Sequence, residues 1–471
     1  MAGRIGKANC LSPFLLCIIE EIEEKGQSVM ELREHMEQLS RKDRFPFHMP
    51  GHKGRFPSLF GKFDPTELPG LDNLHCSRDV LRRAQNLVAD IYGAAKTYFL
   101  VNGSSVGIMA AISALARPGD CVLVQRNCHK SVLAGLIHSG AMPVWIEQPF
   151  CPRLRHWLPP APAEVSKLIA AKSIKAAVFT NPDYFGLAPD IAGLADICQR
   201  EKIAVIVDEA HGAHLAWGQD CGLPKSAVTA GCSVVVQSPH KTLPALTQAA
   251  WMHINDAALA EGLQETLNIF HTTSPSYLLL SSLEFAGTWA NAHGTAMLRR
   301  LNMLAKALYL RSRQLDLDFR QPAYNRDWTK FLLPNRRGLV KLLYSQGIYP
   351  ELVQGDKVLF MLTMADALET KGIAALYRIL PLIASLPGRP VVEIAPPPLP
   401  RQEITPREAW LRPGEIVPLH KALGRIARQV LAPYPPGTMV IGPGQRLEQE
   451  HVQYLQKLHA KKVIPQWLEV I

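Results

Sequence analysis

The sequence lacks the features by which membrane, disulfide-rich and nucleotide-binding proteins are usually identified. No run approaches the roughly 18 to 20 consecutive apolar residues that a membrane-spanning helix requires, so we expect no membrane partner. The nine cysteines contain no C-x-x-C pair, which argues against a disulfide framework and a metal centre such as a structural zinc site, and fits the reducing cytoplasm. No G-x-x-x-x-G-K-[ST] motif is present, which excludes a nucleotide-binding P-loop.

Basic residues exceed acidic ones, but they are not concentrated in one segment. The 471 residues include 51 Lys and Arg against 41 Asp and Glu, a net charge of +10. The basic residues occur as scattered pairs, whereas a nucleic-acid surface is expected to cluster them. Nucleic-acid binding is therefore the least favoured alternative, and it would show as a steep dependence of binding on salt.

The first 45 residues differ in pattern from the rest of the chain. The apolar run 11–19 is similar to the core of a secretory signal, but Pro13 interrupts it and acidic residues follow where a cleavage site would need small ones. We therefore predict that residues 1–45 form a helical segment that docks on the body of the protein or on a partner subunit. Residues 46–310 are predicted to form a large domain, and residues 311–471 a smaller α+β domain with a helix at 418–430.

The large domain has the pattern of an α/β fold. Seven short runs rich in β-branched or aromatic residues alternate with helical patterns, which predicts a seven-stranded, mostly parallel sheet with helices on both faces. The last two strands lie close together in sequence, so their connection could be antiparallel. The predicted strands are 97–101, 121–125, 142–146, 176–180, 203–207, 233–237 and 249–254.

Reactive side chains follow five of these strands. In an open α/β sheet, ligands bind beyond the carboxyl ends of the strands, so we expect these side chains to meet at one rim. The candidates are Gly103, Ser104 and Ser105 after the first strand, His129 after the second, Asp183 and Tyr184 after the fourth, Asp208, Ala210 and His211 after the fifth, and Ser238, His240 and Lys241 after the sixth.

Each candidate also has an ordinary structural interpretation. A serine at a helix start is usually an N-cap, Asp208 could pair with an arginine, and Lys241 could be an exposed strand end. Together, however, the candidates supply a phosphate cradle, a carboxylate for a ring nitrogen, a lysine for an imine and a histidine at the height of the ring. This set is what pyridoxal phosphate requires, so we expect that cofactor.

Several motifs extend this prediction to a known family. The sequence resembles the ornithine/lysine/arginine decarboxylases, which have the aspartate-aminotransferase fold (fold type I) and remove carbon dioxide from a basic amino acid to give agmatine or a diamine. The resemblance covers about residues 45 to 445, and the matching motifs occur in the same order as in the family. It rests on FHMPGHKG at 47–54, TELPGLDNLH at 66–75, FLVNGSS at 99–105, RNCHKS at 126–131, VDEAHGAH at 207–214, QSPHKTLPALTQ at 237–248, TTSPSY at 272–277, TPREA at 405–409 and PYPPG at 433–437.

The resemblance implies a role for each candidate. Lys241 would hold the cofactor as an imine, Asp208 would pair with the pyridine nitrogen, and His211 would lie near the phenolic oxygen or the substrate carboxylate. His129 and Ala210 would pack on opposite faces of the ring. The phosphate would be held by Ser104, Ser105, Ser238 and His240. The family works as dimers or larger homo-oligomers with the active site at the subunit interface, so residues 272–277 would come from the neighbouring chain, and this chain is similar to the family's short forms.

The substrate is less well defined than the cofactor. Arginine, lysine and ornithine all remain open, with a lean to arginine or lysine on family grounds, and the expected role is in polyamine metabolism. We expect a carboxylate to meet the distal cation of the substrate, with Asp72 and Glu408 as candidates. Alternatives are an aminotransferase, a carbon–carbon lyase or a non-catalytic regulatory homologue. The chain departs from the family pattern at Arg55, Arg83, Ile108, Asp183 and Gln445.

Overall fold

The computed structural model describes seven segments of the chain. They are residues 31–41, 64–152, 154–317, 325–389, 396–432, 439–461 and 463–471. The apolar run 11–19, Arg55 and the motifs at 47–54 and 433–437 lie outside the described residues. Within these segments no helix is both long enough and apolar enough to cross a membrane.

The seven predicted strands form one sheet. They are β1 (Lys96–Leu100), β2 (Cys121–Gln125), β3 (Met142–Ile146), β4 (Ala176–Thr180), β5 (Ala204–Asp208), β6 (Val234–Gln237) and β7 (Ala250–Ile254). Their spatial order is β1-β7-β6-β5-β4-β2-β3. Only β7 runs antiparallel to its neighbours β1 and β6, and the other pairs are parallel. The mostly parallel sheet and the antiparallel last connection are therefore confirmed.

Helices cover both faces of the sheet. Successive residues of a strand point to opposite faces, so both faces carry apolar side chains that the helices bury. In β1, for example, Phe99 belongs to one buried cluster and Leu100 to the other. The helices of this part are α1 (Glu31–Arg41), α2 (Val80–Tyr92), α3 (Gly103–Leu115), α4 (Lys130–Ser139), α5 (Pro162–Ala171), α6 (Ile191–Arg200), α7 (Ala260–Phe270) and α8 (Tyr277–Gln314). A short hairpin follows β3, in which the two-residue strand Phe150–Cys151 pairs with His156–Trp157.

A second, antiparallel sheet follows the long helix α8. It contains β8 (Lys330–Pro334), β9 (Leu352–Gln354) and β10 (Lys357–Met361), with helices α9 (Leu339–Ser345), α10 (Met364–Leu368) and α11 (Lys371–Ser385). Phe331, Leu333, Val358 and Phe360 of this sheet belong to the same buried cluster as the apolar residues of α8. Leu332, Leu352 and Leu359 form a separate buried cluster with Phe185. The predicted boundary between 310 and 311 falls inside α8, and the domain boundaries stay a prediction.

The last part of the chain has its own small core. It contains α12 (Pro406–Leu411), β11 (Glu415–Pro418), α13 (Gln449–Ala460) and β12 (Trp467–Val470), which pairs with β11. The helix predicted at 418–430 is wrong. Here Gly424 adopts a left-handed conformation at φ +73, and Ile426 and Ala427 form isolated bridges to Arg446 and Val470. Tertiary pairing therefore buries the apolar residues that had suggested a helix.

Candidate active site

Lys241 lies in a short turn of 3₁₀ helix, Pro239–Lys241, just beyond the carboxyl end of β6. Its Nζ is 3.1 Å from Nε2 of His211. Burial lowers the pKa of Lys241, and the charge of Lys330 lowers it further, while Asp208 and Glu351 oppose the shift. A lysine with a lowered pKa carries more of the neutral amine that attacks a carbonyl.

Asp208 is the last residue of β5, the strand beside β6, and its side chain is buried. One carboxylate oxygen accepts a hydrogen bond of 3.1 Å from the backbone N–H of Ala210. The chain turns sharply after Asp208, so a single short segment brings both Ala210 and His211 to the same rim. The carboxylate therefore has a fixed position close to the amine of Lys241.

Two histidines flank this pair. His129 precedes α4, and its Nδ1 accepts from the backbone N–H of Ser131 at 3.2 Å. Loss of solvation lowers the pKa of His129, with Asp208 opposing the shift and Lys241 adding to it. The pKa of His211 lies well below its usual range, mainly because of burial and then because of the charge of Lys241. Both rings are therefore held in the neutral form near pH 7.

One cavity connects these side chains. Eight of the candidates line it: Ser104, His129, Asp183, Tyr184, Asp208, Ala210, His211 and Lys241. The other lining residues are Asn127, Cys128, His156, Thr180 and Pro182. Gly103, Ser105, Ser238 and His240 do not line the cavity, although they adjoin residues that do. The structure thus brings the lysine, the carboxylate and both histidines together.

The start of α3 offers binding groups for a phosphate. Asn102, the N-cap residue of this helix, makes no capping side-chain hydrogen bond among the described residues. Gly103 has φ +77, a left-handed conformation that favours glycine. Ser238 has a buried Oγ without a partner among the described residues, and His240 donates from Nδ1 to the carbonyl of Ala249 at 2.9 Å. An uncapped helix N-terminus and an unpartnered hydroxyl fit the donor set that a phosphate needs.

The loop at 272–277 lies beside this helix start within its own chain. The backbone N–H of Thr272 donates to Oδ1 of Asn102 at 3.2 Å, and its carbonyl lies 2.8 Å from Nε2 of His75. Its predicted contribution to a neighbouring chain stays a prediction.

The two acidic residues predicted to meet the substrate do not line the cavity. Asp72 accepts hydrogen bonds of 2.6 Å from the backbone N–H groups of both Arg78 and Asp79. Glu408 caps its own helix, α12, through Thr405. Both carboxylates thus have local structural roles, and within one chain neither reaches the cavity.

Sequence reasoning missed a buried hydrogen bond between two side chains of the cavity wall. His156 donates from Nε2 to Oδ2 of Asp183 at 2.6 Å, while the other oxygen of Asp183 accepts from the backbone N–H groups of Phe185 and Leu187. Asp183 was noticed as a departure from the family pattern. His156 gave no signal, because it lies in a two-residue strand outside the alternating pattern.

In comparisons with known proteins, the chain matches a family profile over most of its length. The sequence profile described as Orn/Lys/Arg decarboxylase, major domain, matches residues 32–318, and the corresponding C-terminal domain matches residues 393–465. The chain is 32% identical over 463 residues to the Bacillus subtilis protein described as uncharacterized protein YaaO, covering 90% of this chain and 93% of that protein. It is 30% identical over 448 residues to the arginine decarboxylase of Bacillus anthracis, covering 89% of this chain and 90% of that enzyme.

The fold has a similar counterpart among solved structures. The lysine decarboxylase LdcF of Francisella novicida superposes with a TM-score of 0.76 at 18% identity, covering 94% of this chain and 81% of that one. At this level of identity the likeness concerns the fold alone. It confirms the predicted α/β architecture of fold type I with a smaller C-terminal domain.

Proposed function

Because this chain belongs to the Orn/Lys/Arg decarboxylase family, we propose that it is a pyridoxal-phosphate-dependent decarboxylase of arginine, lysine or ornithine. The meeting of Lys241 and Asp208 in one cavity, with His129 and His211 beside them, is the observation that carries this proposal. The arginine decarboxylase among the relatives supports a basic amino acid as the substrate.

The residues of the cavity fit the proposed cofactor. Lys241 would carry it, Asp208 would face its ring nitrogen, and His129 and Ala210 would lie on its two faces. The phosphate would be held at the start of α3 by Gly103, Ser104 and Ser105, together with Ser238 and His240. When bound, pyridoxal phosphate accepts the electron pair that the departing carboxylate leaves on the substrate Cα.

The protein's own groups prepare this chemistry. The lowered pKa of Lys241 increases the share of its amine that is neutral, and Asp208 would place a negative charge where a protonated ring nitrogen needs one. After carbon dioxide leaves, we propose that a proton returns to Cα from Nζ of Lys241, or from a ring nitrogen of His129 or His211 that has taken up a proton during the cycle. Alignment of the reacting bond and fixed charges of this kind are the usual sources of rate acceleration.

An assay with all three substrates in competition tests the proposal. Purified protein with pyridoxal phosphate is mixed with arginine, lysine and ornithine, and carbon dioxide and the organic products are followed by mass spectrometry. We expect one of agmatine, cadaverine or putrescine to form in equal amount with carbon dioxide, and the K241A variant to form neither. A keto acid product would indicate an aminotransferase. No turnover together with no visible cofactor band would indicate a non-catalytic homologue.

We also propose the setting of this reaction. The enzyme would act in the cytoplasm, in polyamine metabolism, as a homodimer or larger homo-oligomer. Light scattering coupled to size-exclusion chromatography tests the assembly, and a monomer at micromolar concentration would contradict it.

A further inference from the structure

The cavity needs a negative group for the far end of a basic substrate. The chain carries a net charge of +10, so a substrate cation is repelled unless a nearby carboxylate offsets that charge. Of the acidic residues lining the cavity, Asp208 lies beside Lys241, and both oxygens of Asp183 already accept hydrogen bonds from His156 and backbone N–H groups. The distal cation therefore requires another carboxylate.

Glu351 does not line the cavity, but it contacts Tyr184, which does. It immediately precedes β9, and its Oε1 accepts a hydrogen bond of 2.5 Å from the hydroxyl of Tyr184. The ring of Tyr184 lines the cavity and packs edge-on against His211, with ring centroids 5.0 Å apart. His211 in turn contacts Nζ of Lys241. A continuous series of contacts thus links the amine at the reaction centre to this carboxylate.

The charge of Glu351 also reaches the reaction centre. It is one of two carboxylates, the other being Asp208, that raise the pKa of Lys241 against the effect of burial. Coulombic interactions weaken with distance and with solvent screening, so this effect places Glu351 within the electrostatic field of the cavity.

Glu351 has no ion-pair partner in the described part of the chain. Its side chain is exposed, and no described lysine, arginine or histidine lies within ion-pair distance of it. Asp356, five residues further on, differs because it pairs with Arg155 at 2.8 Å. The negative charge of Glu351 is therefore available to a ligand.

We infer that Glu351, held in place by the Tyr184 hydroxyl, binds the distal guanidinium or ammonium group of the substrate. This inference rests on the proposed function and names a specificity-determining residue for the same cavity. Hydrogen bonds between charged groups are the stronger class of hydrogen bond. A carboxylate with one oxygen oriented by a tyrosine can still accept from a cation.

The test compares E351Q with wild type on charged and neutral substrates of the same shape. The pairs are arginine with citrulline, lysine with 2-aminoheptanoic acid and ornithine with norleucine. We expect E351Q to raise KM for the preferred basic substrate by about 10- to 100-fold, with kcat changed by less than about threefold, because this contact is made equally in the ground and transition states. The neutral analogue should show no change in KM. Y184F should raise KM in the same direction by a smaller factor.

E369Q serves as the matched control, because Glu369 is an exposed acid of the same region that pairs locally with Lys371. Its kinetics should equal those of wild type. An unchanged KM in E351Q, or an equal loss on charged and neutral substrates, would overturn the inference.

Binding of the amine product gives a readout that does not depend on turnover. Calorimetry with agmatine, cadaverine and putrescine should show weaker binding to E351Q than to wild type by the same factor. Wild-type protein that decarboxylates none of the three amino acids would refute the proposed function, whereas equal calorimetric affinities in E351Q and wild type would refute the role of Glu351.

Discussion

The buried ion pair between Asp327 and Lys330 gives the sharpest prediction about stability. Nζ of Lys330 lies 3.0 Å from Oδ2 of Asp327, and neither residue has measurable solvent exposure. Asp327 also accepts hydrogen bonds from the N–H and hydroxyl of Thr329, and His214 lies 3.3 Å away. Burial alone would raise the pKa of Asp327, but Lys330, His214 and these hydrogen bonds hold it well below its usual range.

The D327N variant removes one charge and leaves the other buried. Breaking a buried pair in this way costs about 3–5 kcal/mol, whereas replacing both partners by residues of similar volume can be neutral or stabilising. We therefore expect D327N to lower the free energy of unfolding by about 3–5 kcal/mol, and the D327N/K330M double variant to recover at least about 2 kcal/mol of that loss. Denaturant titration followed by circular dichroism measures both values.

A surface ion pair provides the control. Asp220 and Arg299 are 2.9 Å apart, and both are mostly exposed, so D220N should lower the free energy of unfolding by no more than about 1 kcal/mol. The reasoning fails if D327N stays within about 1 kcal/mol of wild type, or if the double variant is as unstable as D327N.

Three further predictions concern other buried groups. D183N removes the acceptor of His156 and should lower the free energy of unfolding by about 1–3 kcal/mol; retention of wild-type stability in denaturant would contradict this. Burial lowers the pKa of His253 from 6.5 to about 3 in the folded protein. Between pH 6.5 and about pH 3 the unfolded state therefore binds a proton on this histidine that the folded state does not. The free energy of unfolding falls as pH drops below 6.5, by up to about 1.4 kcal/mol per pH unit. The free energy of unfolding of H253Q should fall less steeply with decreasing pH than that of wild type. An identical slope in the two proteins would exclude His253 as a source of the pH dependence. Gly186 has φ +89 and an added Cβ would lie 2.6 Å from the carbonyl oxygen of Asp327, so G186A should destabilise the protein by at least about 1 kcal/mol in the same titration.

The strands of the central sheet could be predicted from sequence because each is a short buried run bounded by polar residues. Once a parallel sheet is expected, the carboxyl ends of its strands place Asp208, His129 and Lys241 at one rim. This inference needs no knowledge of side-chain contacts, since the strand order alone brings these ends together.

The missed features depend on contacts between distant segments. Asp327 pairs with Lys330 and with His214, which lies in a distant part of the sequence, and the local sequence of Asp327 and Lys330 has no pattern that points to this contact. Glu351 contacts the cavity through Tyr184, 167 residues away in sequence. The helix wrongly predicted at 418–430 failed for the same reason, because bridges to residues 446 and 470 decide the backbone there.

The most direct test of the central claim is chemical capture of the cofactor by the lysine. The protein loaded with pyridoxal phosphate is reduced with borohydride, digested and mapped by mass spectrometry. We predict that the reduced cofactor is attached to the peptide containing Lys241, and that D208N weakens cofactor retention before reduction. Attachment to another lysine, or no attachment in protein that is fully folded, would contradict the account.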